Sequence, residues 1–159
     1  YKIKDRAQRL SFTLIGEPAP QIYLPDTTGK KWHSLLDLES PYTILYLWDA
    51  DCGHCKKATP KLKKFYDENK DLGIEVFAVN TEVEEEKWKK YVKENELTWI
   101  NVADIKVQSN FRYWYDIQST PKVYILDHKK EIIAKGIGVE QVEDFLTKYI
   151  KMKEKEKNN

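Results

Sequence analysis

The seven residues YTILYLW, at 42 to 48, are apolar on both faces. A run this short falls well below the ~20 residues needed to cross a bilayer. It also lacks the alternation of a strand with one wet side, so it is predicted to be a strand in the middle of a sheet covered on both faces. CKKATPKLKKFYDENK follows almost at once and reads as a helix, one that Pro60 is expected to kink. IEVFAV, at 74 to 79, is a second buried strand. Strand, helix, strand in this order is a βαβ unit, which joins parallel neighbours by a right-handed crossover.

The remaining segments extend an α/β pattern on either side of this unit. IGEPAPQIYLPDTTGKKWHSLLD alternates apolar and polar residues about a Thr-Thr-Gly turn and predicts an N-terminal hairpin. Thr81 to Glu84 matches a capping box, and Trp88, Tyr91 and Val92 mark the buried stripe of a second helix. TWINVAD reads as a short strand and VQSNFRYWY as a short helix. KVYILD and EIIAKG are spaced as a hairpin turning at His128 to Lys130. A last helix from about Val139 to Ile150 is expected to bury Val142, Phe145, Leu146, Tyr149 and Ile150.

These 159 residues suffice for one core without disulfide help. The expected organisation is an N-terminal extension or end of a preceding region over 1–14, one α/β domain over 15–150, and a charged, disordered tail over 151–159. The opening YKIKDRAQRL has neither an initiator methionine nor an apolar signal core, which reads as a processed product or a piece of something larger. Twenty-seven basic residues against 26 acidic ones leave a net charge of +1, which implies no nucleic-acid or anionic-membrane partner. No transmembrane segment is expected.

Both cysteines of the chain stand in WDADCGHCKKATP, three positions apart. As a structural staple the pair is poor: closing so short a loop restricts the unfolded chain by only about 2 kcal/mol in the loop-entropy model. As half of a zinc site it would have to recruit two ligands from His33, His54, His128 or carboxylates, and His54, inside the pair, cannot easily join the same tetrahedron. A redox pair explains the placement. Cys52 follows a buried strand and opens a helix, where unpaired N–H groups and the positive end of the dipole favour an anion. A thiolate there can accept the N–H of Cys55 in place of a capping oxygen, which lowers its pKa and makes it the attacking species. Cys55, one turn on and more buried, is expected to resolve. No metal or cofactor is called for.

Trp48, Cys52-Gly53-His54-Cys55, Lys56 and Pro60 resemble the active-site segment of the thioredoxin superfamily. Thr120-Pro121, just before KVYIL, matches that superfamily's cis-proline position, and the resemblance makes Trp48, Gly53, His54, Thr120 and Pro121 supports of the active site. Cys55 and Pro121 are 66 residues apart, longer than in plain thioredoxins, and the excess matches an extra helix and strand at about 81 to 103. With the opening IGEPAPQIYLPDTTGK, this is similar to the TlpA/ResA-like thiol-disulfide oxidoreductases. The likeness covers about Ile15 to Ile150. It implies a thioredoxin-like fold: a central mixed sheet flanked by helices, an N-terminal hairpin and an αβ insertion. It also implies protein substrates with thiols or disulfides, an upstream redox partner protein, and an extracytoplasmic, periplasmic address with tethering through a missing N-terminal portion.

The sequence departs from the pattern at several positions. Tyr46 stands where plain thioredoxins carry a buried Asp, Ala58 where many ResA-like proteins carry a Glu, and Asp51 where a Trp commonly precedes the attacking cysteine. His54 replaces the commoner Pro. Asp49 and Asp51 either raise the Cys52 pKa by repulsion or lower it by holding His54 protonated, and the sequence leaves both signs open. The direction of electron flow, reductase or isomerase, is open too. A thiol peroxidase would need a Thr three residues before its attacking cysteine, where this chain has Asp49. A redox-modulated thioredoxin-like binding module is the alternative from another class. Trp32, Trp88, Trp99 and Trp114 are assigned to the core or to half-buried surface rather than to a recognition patch.

Overall fold

A computed structural model describes residues 2–158, apart from the Lys2 side chain. The chain forms α1 (Lys2–Leu10), β1 (Tyr23–Pro25), β2 (Trp32–Ser34), β3 (Tyr42–Trp48), α2 (Gly53–Glu68), β4 (Ile74–Asn80), α3 (Glu85–Glu94), β5 (Ile100–Ala103), α4 (Phe111–Trp114), β6 (Lys122–Leu126), β7 (Ile132–Lys135) and α5 (Val139–Lys157). Five strands make a mixed sheet in the order β5-β4-β3-β6-β7, and β1 and β2 form a separate antiparallel hairpin.

YTILYLW is the centre of that sheet. β3 pairs in parallel with β4 from Tyr42 opposite Ile74 to Trp48 opposite Asn80, and antiparallel with β6 from Thr43 opposite Leu126 to Leu47 opposite Lys122. Its side chains alternate between two cores, which is why no face of it is polar. Ile44, Tyr46 and Trp48 pack with Leu62, Phe65, Val142 and Leu146 from α2 and α5. Leu45 and Leu47 pack on the other side with Ile22, Leu24, Leu35, Phe111 and Tyr115. The fold is thioredoxin-like, with the hairpin β1-β2 and the inserted α3-β5 as its additions.

Both edges of the sheet are covered. Asp26, at the end of β1, bridges to Val102 on β5. On the far side, residues 16–19 run along β7: Gly16 N donates to Ile132 O, Ile132 N to Glu17 O, and Ala19 N to Lys130 O. One glycine in the βαβ unit is sterically required. Gly73, just before β4, has φ 72°, and a Cβ there would lie 2.7 Å from the Pro41 ring.

Two local expectations are corrected, at the start of α3 and at the end of α5. α3 begins at Glu85 and has no side-chain cap. Thr81 is buried instead, its N–H and hydroxyl both donating to Trp48 O at 2.8 and 3.2 Å, so the tertiary contact wins over the local capping box. α2 contains Pro60, exposed, within its continuous span, so the proline does not end the helix. α5 continues to Lys157 where a disordered end was expected over 151–159. The alternating Lys and Glu are good helix formers, and Lys153 pairs with Glu156 at 3.3 Å once the apolar stripe before them is docked. Residue 159, the last of that tail, lies outside the described residues, as does Tyr1 of the 1–14 extension.

Candidate active site

Cys52 leaves the carboxyl end of β3 and is the N-cap of α2, with an extended backbone at φ −77° and ψ 125°. The turn before it is fixed by its own N–H donating to Asp49 O at 3.1 Å and by Asp51 N donating to the Asp49 carboxylate at 2.9 Å. In that position the Cys52 sulfur accepts the N–H of Cys55 at 3.1 Å, doing what a Ser or Asp oxygen does at other helix starts. On its other side Cys52 Sγ donates to the carbonyl of Thr120 at 3.4 Å. The Thr120–Pro121 peptide bond is cis, and this loop, just ahead of β6, lies against the sulfur. Cys52 is half-buried and Cys55 is fully buried at 0% exposure; both are free thiols.

The two thiols are pushed in opposite directions. Burial raises the Cys52 pKa, but hydrogen bonds from Cys55, Thr120 and the backbone N–H groups of Cys55 and His54 outweigh it and hold the thiol below its ordinary value. Burial, then the contact with Cys52, pushes Cys55 up to about 12. One sulfur is thus biased toward the thiolate and its neighbour is kept as a thiol.

The residues expected from the resemblance to support this pair sit around it. Trp48 is fully buried below it, between Tyr46 (ring centroids 6.2 Å apart) and Tyr91 (5.3 Å), with its indole N–H unpaired. Gly53 and His54 are exposed in the first turn of α2, and a Cβ at Gly53 would meet nothing within 4 Å. Tyr46 is no substitute for an acid: its hydroxyl pairs with the Thr59 hydroxyl at 2.9 Å, and burial drives its pKa far up. Asp51 is turned outward to Lys87 on α3 at 2.8 Å. Of the four tryptophans assigned to core or half-buried surface, Trp88 and Trp99 are buried and Trp114 is half-buried, whereas Trp32 is 46% exposed against Tyr23 on the hairpin.

The sequence reading missed the Tyr46–Thr59 pair, the tie from Thr81 to Trp48 and the Asp51–Lys87 pair. Each joins residues far apart in the chain and carries no local pattern. Among the described residues no group of three or more His, Cys, Asp or Glu is placed to hold a metal ion.

A thioredoxin-like sheet that presents a dithiol at the start of α2, beside a Thr-Pro loop, defines a thiol-disulfide oxidoreductase of the thioredoxin superfamily. The chain belongs to the AhpC/TSA family, whose profile matches residues 15–135. It is 29% identical over 139 residues to the thiol-disulfide oxidoreductase ResA of Bacillus cereus, a match covering 84% of this chain and 78% of the relative. Among solved structures it is similar to a domain of a possible thiol-disulfide isomerase from Cytophaga hutchinsonii. That likeness has a TM-score of 0.82 and 43% identity, and covers 89% of this chain and 97% of the other. It is also similar to the thioredoxin domain of a thiol-disulfide oxidoreductase from Bacteroides vulgatus, with a TM-score of 0.77 and 30% identity over 86% and 97% of the two chains. The protein is an enzyme of this class.

Proposed function

We propose that the enzyme exchanges disulfides with protein substrates through Cys52-Gly53-His54-Cys55, with Cys52 attacking and Cys55 resolving. The observation that carries this reading is the contrast between the two sulfurs: one is half-exposed and held by N–H donors at a helix start, the other fully buried one turn on. The Cys52 thiolate attacks one sulfur of a substrate disulfide, forming a mixed disulfide and releasing the first substrate thiolate. Cys55 gives up its proton and attacks the Cys52 sulfur. The Cys52–Cys55 disulfide closes and the second substrate thiolate leaves, so that two electrons have passed from the dithiol to the substrate. The reverse sequence oxidises a dithiol substrate. An upstream redox partner that reduces the Cys52–Cys55 disulfide selects the reductase or isomerase direction. Trp48, Thr120 and Pro121 support the pair, and Gly53 and His54 leave its approach open.

The extracytoplasmic, periplasmic address belongs to the same reading and rests on the resemblance to TlpA/ResA-like proteins. No helix of the described residues is long and apolar enough to cross a membrane. A peroxidase role finds no support at Asp49, whose carboxylate accepts the N–H of Asp51 and offers no hydroxyl donor to Cys52.

Reduction of insulin disulfides by the dithiol form tests the reaction. Wild type is expected to be active, Cys52→Ser inactive, and Cys55→Ser to accumulate mixed disulfides with its substrates. Retained activity in Cys52→Ser would overturn the assignment of roles.

A further inference from the structure

We infer that the N-terminal helix α1 is a clamp on the active-site loop, with Arg6, Arg9, Asp116 and Gln118 acting as positioning residues for Cys52. The inference rests on the reading of Cys52 as the attacking thiol.

Asp116 follows α4 and is 1% exposed, with a left-handed backbone at φ 48°. A buried carboxylate requires partners. Asp116 takes its cations from outside the matched family region: Arg6 Nε lies 2.5 Å from one carboxylate oxygen and Arg9 Nη1 lies 4.0 Å from the other. The Arg6 contact is an ion pair by distance without the angle of a hydrogen bond. The same arginine donates through Nη1 to Gln118 Oε1 at 2.7 Å, and Gln118 Nε2 donates back to Asp116 at 3.2 Å. Arg9 also lies over the Tyr113 ring of α4 at 4.7 Å. Arg9 is also paired with Asp5 of α1 at 3.0 Å, and further charged or titratable groups reach Asp116 from β6. Lys122 Nζ donates to the carbonyls of Tyr115 and Asp116 at 2.7 and 3.1 Å, and Tyr124 stands close enough for the Asp116 charge to act on it.

Gln118 is two residues before Thr120, which touches the Cys52 sulfur. The path from α1 to the reactive atom is therefore one ion-pair and hydrogen-bond network followed by a two-residue step of backbone. Removing the two cations frees the loop, which meets Cys52 through a carbonyl that favours the thiol and a side chain that favours the thiolate, and the balance of contacts at Cys52 lies with the thiolate.

The test is the pH profile of Cys52 alkylation by iodoacetamide in the reduced full chain, with the label located by fragmentation mass spectrometry. In Arg6→Gln/Arg9→Gln the midpoint is expected to rise by about half a unit, and the rate at pH 6.5 to fall about threefold. Arg6→Lys/Arg9→Lys, which keeps both charges, is expected to recover at least half of the shift. Gln118→Ala removes the neutral arm alone and is expected to give a smaller shift in the same direction; it decides the matter if the double variant fails to fold. A loss of packing alone would lower the melting temperature without moving this midpoint. Midpoints that coincide with wild type in the folded variants overturn the clamp. A wild type in which Cys55 is labelled faster than Cys52 overturns instead the reading of the site, whatever α1 does.

Discussion

The sulfur of Cys52 lies 3.4 Å from the carbonyl oxygen of Thr120, a residue 68 positions further along the chain. That carbonyl can accept only the thiol's proton, so by itself it favours the protonated form. The N–H groups of Cys55 and His54 on the opposite side favour the thiolate, and with the Thr120 side chain they prevail. The reactivity of Cys52 is the balance of these two sets of contacts.

Alkylation of the reduced protein should therefore be ordered. Between pH 6 and 8, iodoacetamide is expected to modify Cys52 at least tenfold faster than Cys55, since thiolate fraction and access both favour it. Peptide mapping after short exposure measures the ratio, and equal labelling would contradict the geometry.

Stability of the reduced form should depend on pH in the alkaline range. Cys55 is raised from 9.0 to about 12 in the fold, so its contribution is fully present below about pH 9 and is lost as pH rises toward 12. Cys52 has the opposite sign: its pKa is lowered, so its contribution is present above the unfolded value and is lost as pH falls through the folded one. The oxidised form has neither thiol. Denaturant unfolding of reduced and oxidised protein at several pH values should show the reduced form losing ground above pH 9, by an amount on the order of a few kcal/mol. Subtracting the oxidised curve removes the tyrosines and lysines that titrate in the same range.

His54 contributes a backbone donor to the Cys52 sulfur, and proline has none. His54→Pro is expected to raise the Cys52 pKa, destabilise the thiolate and make the pair more reducing. One unit is worth ~1.4 kcal/mol, or ~30 mV in a two-electron couple, which sets the scale at tens of millivolts. His54→Ala keeps the donor and should move the potential less. Glutathione equilibria at pH 7 measure both, and identical potentials for wild type and His54→Pro would show that residue 54 is only a spacer.

Tyr46→Phe tests whether the phenol takes the place of the missing acid. Burial holds its pKa far above the ordinary 10.0, so it cannot accept the Cys55 proton at neutral pH. The resolving step is expected to stay within about twofold of wild type, while stability falls by about 1 kcal/mol for the lost hydrogen bond to Thr59. A tenfold slower resolution in single-turnover kinetics would give the tyrosine a chemical role.

Leu47→Ala removes a fully buried side chain from the centre of the sheet and is expected to cost 2–5 kcal/mol, the usual range for such a cavity. Chemical denaturation measures it.

The parts of this protein that could be read from its sequence are those in which local pattern and tertiary environment agree. YTILYLW has no wet face because β3 has none, and Cys52 falls where a strand ends and a helix begins. Where the two disagree, tertiary contacts decide. Thr81 resembles a helix cap, yet its hydroxyl is committed to Trp48, 33 residues away. The charged end after Ile150 has the composition of a free tail, but the docked helix before it supplies the nucleus that seven more helical residues need. The hold of Arg6 on Asp116 spans more than a hundred residues and leaves no trace in spacing or periodicity.

The covered edges of the sheet matter for the company this enzyme keeps. On the proposed function, substrates are proteins with unformed or mispaired disulfides, and strands in such chains lack backbone partners. Against such clients an open edge strand is a template for β-augmentation and co-aggregation. Residues 16–19 along β7 and the bridge from Asp26 to Val102 on β5 occupy the places where a client strand would add. A strand that met the protein at either place would find the chain's own backbone already paired there.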